Sequence, residues 1–209
     1  MYPSNFTIVD ITEGAMVQVA ARLHIEAFAG YLNARFGMGY ITSFINWFVH
    51  EKEAVALAAV DSQQRIIGYA MGVPTEIGHR PYRELQGLAV RSLVQRPWLF
   101  FDKRLWQAAR SRCRALVRKE KGGDHYDIPK PTMGLVGIGV DSLSRRQGIA
   151  GHLMEAFQER AKRQEMRSLS TWVYMDNTSA RRLYERCGWQ PHMDSLTERG
   201  SVRYYKLIV

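Results

Sequence analysis

The stretch Val140-Asp-Ser-Leu-Ser-Arg-Arg-Gln-Gly-Ile-Ala-Gly-His-Leu-Met154 decides how this chain is read. It joins an apolar, glycine-bearing segment of strand character to an amphipathic helix through a short basic turn. Backbone N–H groups at a helix start have no intrahelical partner, and the positive end of the helix dipole points the same way. Such a turn is a seat for a pyrophosphate. Its spacing is R-x-x-G-x-A, from Arg145 through Gly148 to Ala150, while Ile149, Leu153, Ala156, Phe157 and Ala161 recur as one apolar helical face. Gly148 admits close approach of another backbone or a phosphate. A plain βα turn would account for the same six residues, so the pattern alone leaves phosphate binding open. Two other phosphate loops are excluded, since neither G-x-x-x-x-G-K-[ST] nor a helix-opening G-x-G-x-x-G occurs.

A second constellation follows. Leu169 to Met175 reads as a strand, Asp176-Asn-Thr-Ser179 supplies capping residues for a new helix, and Gly188 ends it. On that helix Ala180, Leu183, Tyr184 and Cys187 fall at i, i+3, i+4 and i+7. The Tyr184 phenol therefore points to the buried side, where it needs a hydrogen-bond partner.

With R-R-Q-G-I-A-G at Arg145 to Gly151 and N-x-x-A-x-x-x-Y-x-x-x-G-W at Asn177 to Trp189, the chain resembles the GNAT superfamily of acyl-CoA-dependent N-acyltransferases. The likeness is specific over residues 133 to 192. It is looser over residues 5 to 75, where Phe6 to Ile11, a helical stretch, Val55 to Asp61 and Arg65 to Val73 are similar to the family's opening strand, helices and hairpin. The resemblance implies one α/β domain over residues 1–209. Its sheet would be mixed, mostly antiparallel, flanked by helices and splayed between the fourth and fifth strands, with acetyl-CoA or a related acyl-CoA wedged in the opening. It further implies that backbone groups of Ile138, Gly139 and Val140 pair with the pantetheine arm. Arg145, Arg146, Gln147, Gly148, Ile149, Ala150 and Gly151 would hold the pyrophosphate, Asn177 would touch the pantetheine, and Tyr184 would sit near the sulfur. Ser142 stands where the family often has proline and Ala150 where it often has glycine; both are small enough to keep the reading.

The chemistry can be argued from the residues. An amine attacking a thioester needs an unprotonated nitrogen, stabilisation of the developing oxyanion and a proton for the departing thiolate. Tyr184 is a candidate acid, because a phenol titrating near about 10 is protonated at neutral pH. A backbone N–H between Ile138 and Val140 can serve the oxyanion. The base is less obvious. Relatives often place a glutamate on the strand before the phosphate turn, whereas Thr132 to Val140 contains no acid, base or histidine. Glu26, His24, Glu76, His79, His125, Asp127 or a relayed water are the candidates. No metal is required, and neither cysteine lies in a motif with a neighbouring base, so a covalent acyl-enzyme has no evident nucleophile.

Composition bounds the rest. A chain of 209 residues, 46% hydrophobic and 23% charged, is ordinary for one globular domain. It has no run of eighteen apolar residues, no signal-peptide pattern after Met1, and only Cys113 and Cys187, which points to a cytoplasmic protein without disulfides. The net charge of +9 is concentrated between Arg91 and Lys121, where ten Lys or Arg face only Asp102 and Glu120, a local balance of +8. From Leu99 onward this segment reads as a helix with Trp106, Ala109, Cys113 and Leu116 on one side and Lys103, Arg110, Arg114 and Lys121 on another. It belongs to an expected helical insertion, about residues 78–131, between the third and fourth strands. It reads as a solvated basic helix, as a platform for an anionic acceptor, or as a peripheral attachment to an anionic membrane. Nucleic acid is the weaker partner, since no recognised binding module accompanies the charge. By family-level likeness, the acceptor would be a small-molecule amine such as a nucleotide-linked amino sugar of polysaccharide biosynthesis. Phe28-Ala-Gly-Tyr31 and Phe36-Gly-Met-Gly-Tyr40 line it or pack beneath it, and a hairpin closing at Glu198-Arg-Gly200 could border it. A rival of another class is a non-catalytic acyl-CoA-binding module recruited to an anionic surface by the basic helix. Oligomeric state is not legible in the sequence.

Overall fold

The computed structural model describes residues 5–102, 106, 128–192 and 200–208. Apolar runs build the centre of the sheet: β2 (Val55–Asp61) and β3 (Ile66–Pro74), buried on both faces, and β4 (Thr132–Val140), whose residues alternate between buried and half-buried. Around them lie β1 (Phe6–Asp10), β5 (Ser168–Tyr174), β6 (Gln190–His192) and β7 (Ser201–Leu207), giving the spatial order β1-β2-β3-β4-β5-β7-β6. Every pairing is antiparallel except β4 with β5. The strand expectations hold to within a residue or two.

Helices cover both faces. On one side α1 (Ala15–Ala27), the short α2 (Leu32–Arg35) and α3 (Met38–His50) bury Val17, Ala20, Leu23, Phe44, Ile45 and Phe48 against Ala58, Tyr69 and Met71. On the other side α6 (Ile149–Arg163) buries Ile149, Leu153, Phe157 and Ala161 against Leu57, Ala70 and Leu135, as its apolar spacing requires. Between β3 and β4 run α4 (Arg80–Glu84), α5 (Gln86–Gln95) and a 3₁₀ turn at Pro97–Phe101. Here one expectation needs correcting: no α-helix begins at Leu99, because the 3₁₀ turn ends at Asp102, whose ψ of 117° is extended. Pro97 at the start of that turn cannot continue the i→i−4 ladder from α5. The remainder of the expected basic helix, with Cys113, His125 and Asp127, lies outside the described residues, as do Glu198 and Arg199. Among the described residues no helix is long and apolar enough to cross a membrane.

Two features of β4 place the site. At one end β4 and β5 are tied together: Thr132, Met133 and Gly134 pair with Ser168, Leu169 and Ser170. The buried hydroxyls of Thr132 and Ser168 lie 2.8 Å apart, and Ser168 donates to the Pro129 carbonyl at 2.6 Å. Immediately beyond, Met71 pairs with Gly137 but Gly72 with Leu135, so Val136 is an extra residue bulged out of the β3–β4 ladder. A bulge bends the strand that carries it. The pairing of β4 with β5 stops there, and the two strands part.

Candidate active site

The opening between β4 and β5 is a cavity of about 80 Å³. Leu135 to Ile138 form one wall and Thr171 to Val173 the other. Ala27, Phe28 and Tyr31 close it from α1, while Asn177, Ala180 and Tyr184 close it from α7 (Thr178–Arg186). The second sequence constellation thus meets the first across the gap.

Tyr184 is buried, as its helical position requires, against Trp189 and Tyr204 at ring separations of 5.6 Å each. Burial pushes its phenol up to about 12, so it stays protonated throughout the physiological range. Its partner is Thr171, whose hydroxyl donates its one proton to the Leu135 carbonyl at 2.9 Å. That leaves Thr171 lone pairs to accept from Tyr184. A chain of Tyr184, Thr171 and Leu135 therefore bridges the splayed strands, and Thr171 is a site residue that the sequence reading missed.

Asn177 caps α7, its Oδ1 accepting from the Ala180 N–H at 3.1 Å. It also hydrogen-bonds Tyr31, whose phenol burial pushes upward. Tyr31 packs on Phe28 at 5.2 Å and Tyr174 at 5.4 Å, giving one rim of the cavity an aromatic lining. The stretch Phe28 to Tyr31 thus lines the site. Phe36 and Tyr40, by contrast, are core residues whose rings meet edge to face at 4.9 Å. The Arg203 guanidinium sits 4.8 Å above the ring of Trp172, which lies two residues before Tyr174 on the same face of β5.

The turn after β4 has the conformation its sequence suggests. Asp141 accepts from the Leu143 N–H and the Ser144 hydroxyl, closing a 3₁₀ turn at Ser142–Ser144. Arg146 at φ 65° and Gly148 at φ 79° then turn the chain into α6 in the left-handed region. A Cβ at Gly148 would meet only the His152 ring at 3.7 Å, so this glycine is required by its backbone angle rather than by crowding. No acidic residue stands in the first turn of α6, and Arg145 and Arg146 are exposed beside it. The N–H groups of Ile149, Ala150 and Gly151 precede the first intrahelical bond, from His152 to the Gly148 carbonyl at 3.2 Å. Arg145 Nε donates to the Val140 carbonyl at 3.3 Å, tying the turn back to the strand. Ile138, Gly139 and Val140 pair with Ala70, Tyr69 and Gly68 on the β3 side and, among the described residues, have no strand partner on the β5 side.

None of the described candidates for a base lines the cavity, and among the described residues its ionisable side chains are Tyr31 and Tyr184. Glu26, Glu76 and His79 are exposed. His24 is buried behind β4, its Nδ1 2.7 Å from Tyr69 Oη and its ring stacked on Phe28 at 4.6 Å. Burial lowers it to about 4, so it is neutral at pH 7. It supports the cavity wall through Phe28. His125 and Asp127 lie outside the described residues. Among the described residues there is no cluster of His, Cys, Asp or Glu able to hold a metal ion.

Comparison with known proteins agrees with the fold. Residues 103–189 match the model of the acetyltransferase (GNAT) family. The structure is similar to a GCN5-related N-acetyltransferase from Kribbella flavida, with a TM-score of 0.61 at 14% identity over 99% of this chain and 100% of the other. It is similar also to spermidine N-acetyltransferase from Vibrio cholerae in complex with CoA and spermine, with a TM-score of 0.58 at 15% identity over 98% and 96%. A GNAT-family acetyltransferase from Staphylococcus aureus Mu50 gives 0.58 at 10% identity over 98% and 99%. No curated protein matches the chain. At such identities the structural likeness speaks for the fold, and the family model for the segment that carries the turn and Tyr184: the chain has the GNAT acyl-CoA N-acetyltransferase fold, with the family's signature in residues 103–189.

Proposed function

We propose that the protein moves an acetyl or other short acyl group from acyl-CoA to a primary amine, by direct attack in a ternary complex. The observation that carries this reading is the parting of β4 from β5 directly after Gly134, with the protonated Tyr184 hydroxyl at the opening. In this reading Arg145, Arg146 and the N–H groups from Gln147 to Gly151 bind the pyrophosphate. Ile138, Gly139 and Val140 bind the pantetheine through their open backbone edge, and Asn177 contacts it from the cap of α7. The small cavity favours a short acyl group.

Transfer forms a C–N bond and breaks the C–S bond. A backbone N–H of β4 stabilises the carbonyl oxygen as it becomes negative. Tyr184 turns its O–H from Thr171 to the sulfur and gives its proton to the departing thiolate. The amine sheds its own proton to water at the mouth of the cavity, since no described carboxylate or imidazole lines it. The acceptor we favour is an amino sugar, free or nucleotide-linked. Trp172 and Tyr174 stand partly exposed on β5 at the edge of the gap, and aromatic side chains there suit contact with a sugar ring.

The test is release of CoA thiol from acetyl-CoA across a panel of amines that includes nucleotide-linked amino sugars and polyamines. Turnover with an amino sugar supports the whole reading, and turnover with another amine alone replaces the acceptor. Absence of turnover with every amine, while acetyl-CoA still binds, contradicts the catalytic assignment.

A further inference from the structure

Five exposed apolar side chains of the described surface follow one another along α5 and the turn after it, while Leu143, also 90% exposed, stands apart in the turn after β4. Phe101 is 90% exposed, Val94 73% and Trp98 60%, and Val90 and Phe100 are exposed beside them. They lie on the outer face of α5 and on the 3₁₀ turn that follows it. Aromatic rings left in water cost free energy unless something covers them, and a contiguous group of this kind marks an interaction surface.

This projection is fixed in place from beneath. Leu99, in the middle of the turn, is 1% exposed and belongs to the core of the α1–α3 face. At the front of the turn Arg96 donates to the Phe36 carbonyl at 2.8 Å. At its back Asp102 forms an ion pair with Arg35 at 2.7 Å. Both anchors reach α2 and its end, so the turn is clamped at three points and holds Trp98, Phe100 and Phe101 outward.

We propose that this wedge docks the protein onto an anionic lipid bilayer. Three observations favour lipid over a protein partner. Trp and Phe on a short projecting turn are the side chains that settle at the headgroup boundary. The flanking charge is of one sign: Arg91 lies exposed between Val90 and Val94 on α5, and the nearest acid, Asp102, is already neutralised by Arg35. Finally, the chain runs from Phe101 into a stretch that carries, between Lys103 and Lys121, eight Lys or Arg against the single acid Glu120. Basic residues next to an inserted apolar group add attraction to an anionic leaflet, and one weak insertion plus a basic patch is enough for reversible attachment. Because α2 begins one residue after Tyr31, a docked wedge would hold the aromatic rim of the cavity near the lipid surface.

The test is co-sedimentation of the whole protein with phosphatidylcholine vesicles, with and without phosphatidylglycerol. We expect binding to the anionic vesicles only, weakening as salt is raised, and falling at least about tenfold in the double variant Trp98→Ser, Phe101→Ser. Arg91→Glu should weaken it less. Thermal melting of the double variant should match the parent, since Leu99 and both anchors are kept. Absence of binding to anionic vesicles, or equal binding by parent and variant, overturns the proposal. So does self-association that the same two substitutions abolish, which would make the surface a contact between copies. Vesicle binding needs no turnover, so its failure leaves the catalytic reading standing, and the reverse.

Discussion

The two edges of β4 differ in almost everything. On the β3 side the strand is paired from Met133 to Val140, broken only by the bulge at Val136, and the helix behind it is in near contact. A Cβ at Gly139 would lie 2.7 Å from the Tyr69 ring and 3.1 Å from Ala27 Cβ. On the β5 side only Thr132, Met133 and Gly134 are paired, after which one side-chain hydroxyl, that of Thr171, spans the gap. The contrast teaches where ligand chemistry can occur. A backbone edge satisfied by a neighbouring strand is structural, whereas one that leaves its neighbour can accept an extended ligand.

The largest expected effect comes from the open side. Tyr184→Phe removes the proton donor while keeping the ring packed on Trp189 and Tyr204. Turnover should fall about a hundred- to ten-thousand-fold with acyl-CoA affinity nearly unchanged, in steady-state kinetics beside calorimetry. Since Tyr184 is raised to about 12, the parent enzyme should also show no loss of activity from this group between about pH 7 and 10.

On the packed side the next effect is a pH dependence. His24 is lowered from 6.5 to about 4, so the unfolded chain binds the proton more tightly than the folded one. Stability then rises with pH between about 4 and 6.5 and is lost as pH falls through that window, by on the order of 3 kcal/mol at the acid end. Melting temperature against pH should show this slope, and His24→Gln should flatten it. A smaller loss, about 1–3 kcal/mol in denaturant melts, is expected for Gly139→Ala, because the added methyl must displace the Tyr69 ring. The same change at Gly151, where a Cβ meets nothing within 4 Å, should cost far less. A loss at the lower end of the range given for Gly139→Ala is expected for Thr171→Val. Loss of the bridge leaves the Leu135 carbonyl without its partner, for about 1 kcal/mol, and loosens Tyr184.

Sequence made the two ligand-facing elements legible because each is local. Arg145 to Gly151 and Asn177 to Trp189 carry their caps, turn glycines and apolar spacing within a few residues, and the structure has helices at those places. The parting of β4 and β5 was an expectation from family resemblance alone, since Val136-Gly137 is an unremarkable dipeptide and a bulge is defined by its partner strand. Contacts across long separations were equally hidden. Thr171 meets Leu135 across 36 residues and His24 meets Tyr69 across 45, and nothing near either residue signals its partner. Leu99 to Phe101 reads as the start of a helix because the apolar spacing from Trp106 onward extends back to it, whereas Pro97 starts a 3₁₀ turn there.

The most direct test of the account is the backbone amide spectrum of the protein titrated with acetyl-CoA. The account predicts large shifts at Ile138, Gly139 and Val140, at Gly148 to Gly151 and at Asn177, with β1 and β2 unmoved. Shifts confined to other parts of the surface, or none at saturating acetyl-CoA, would contradict the claim that the gap between β4 and β5 is the acyl-donor site.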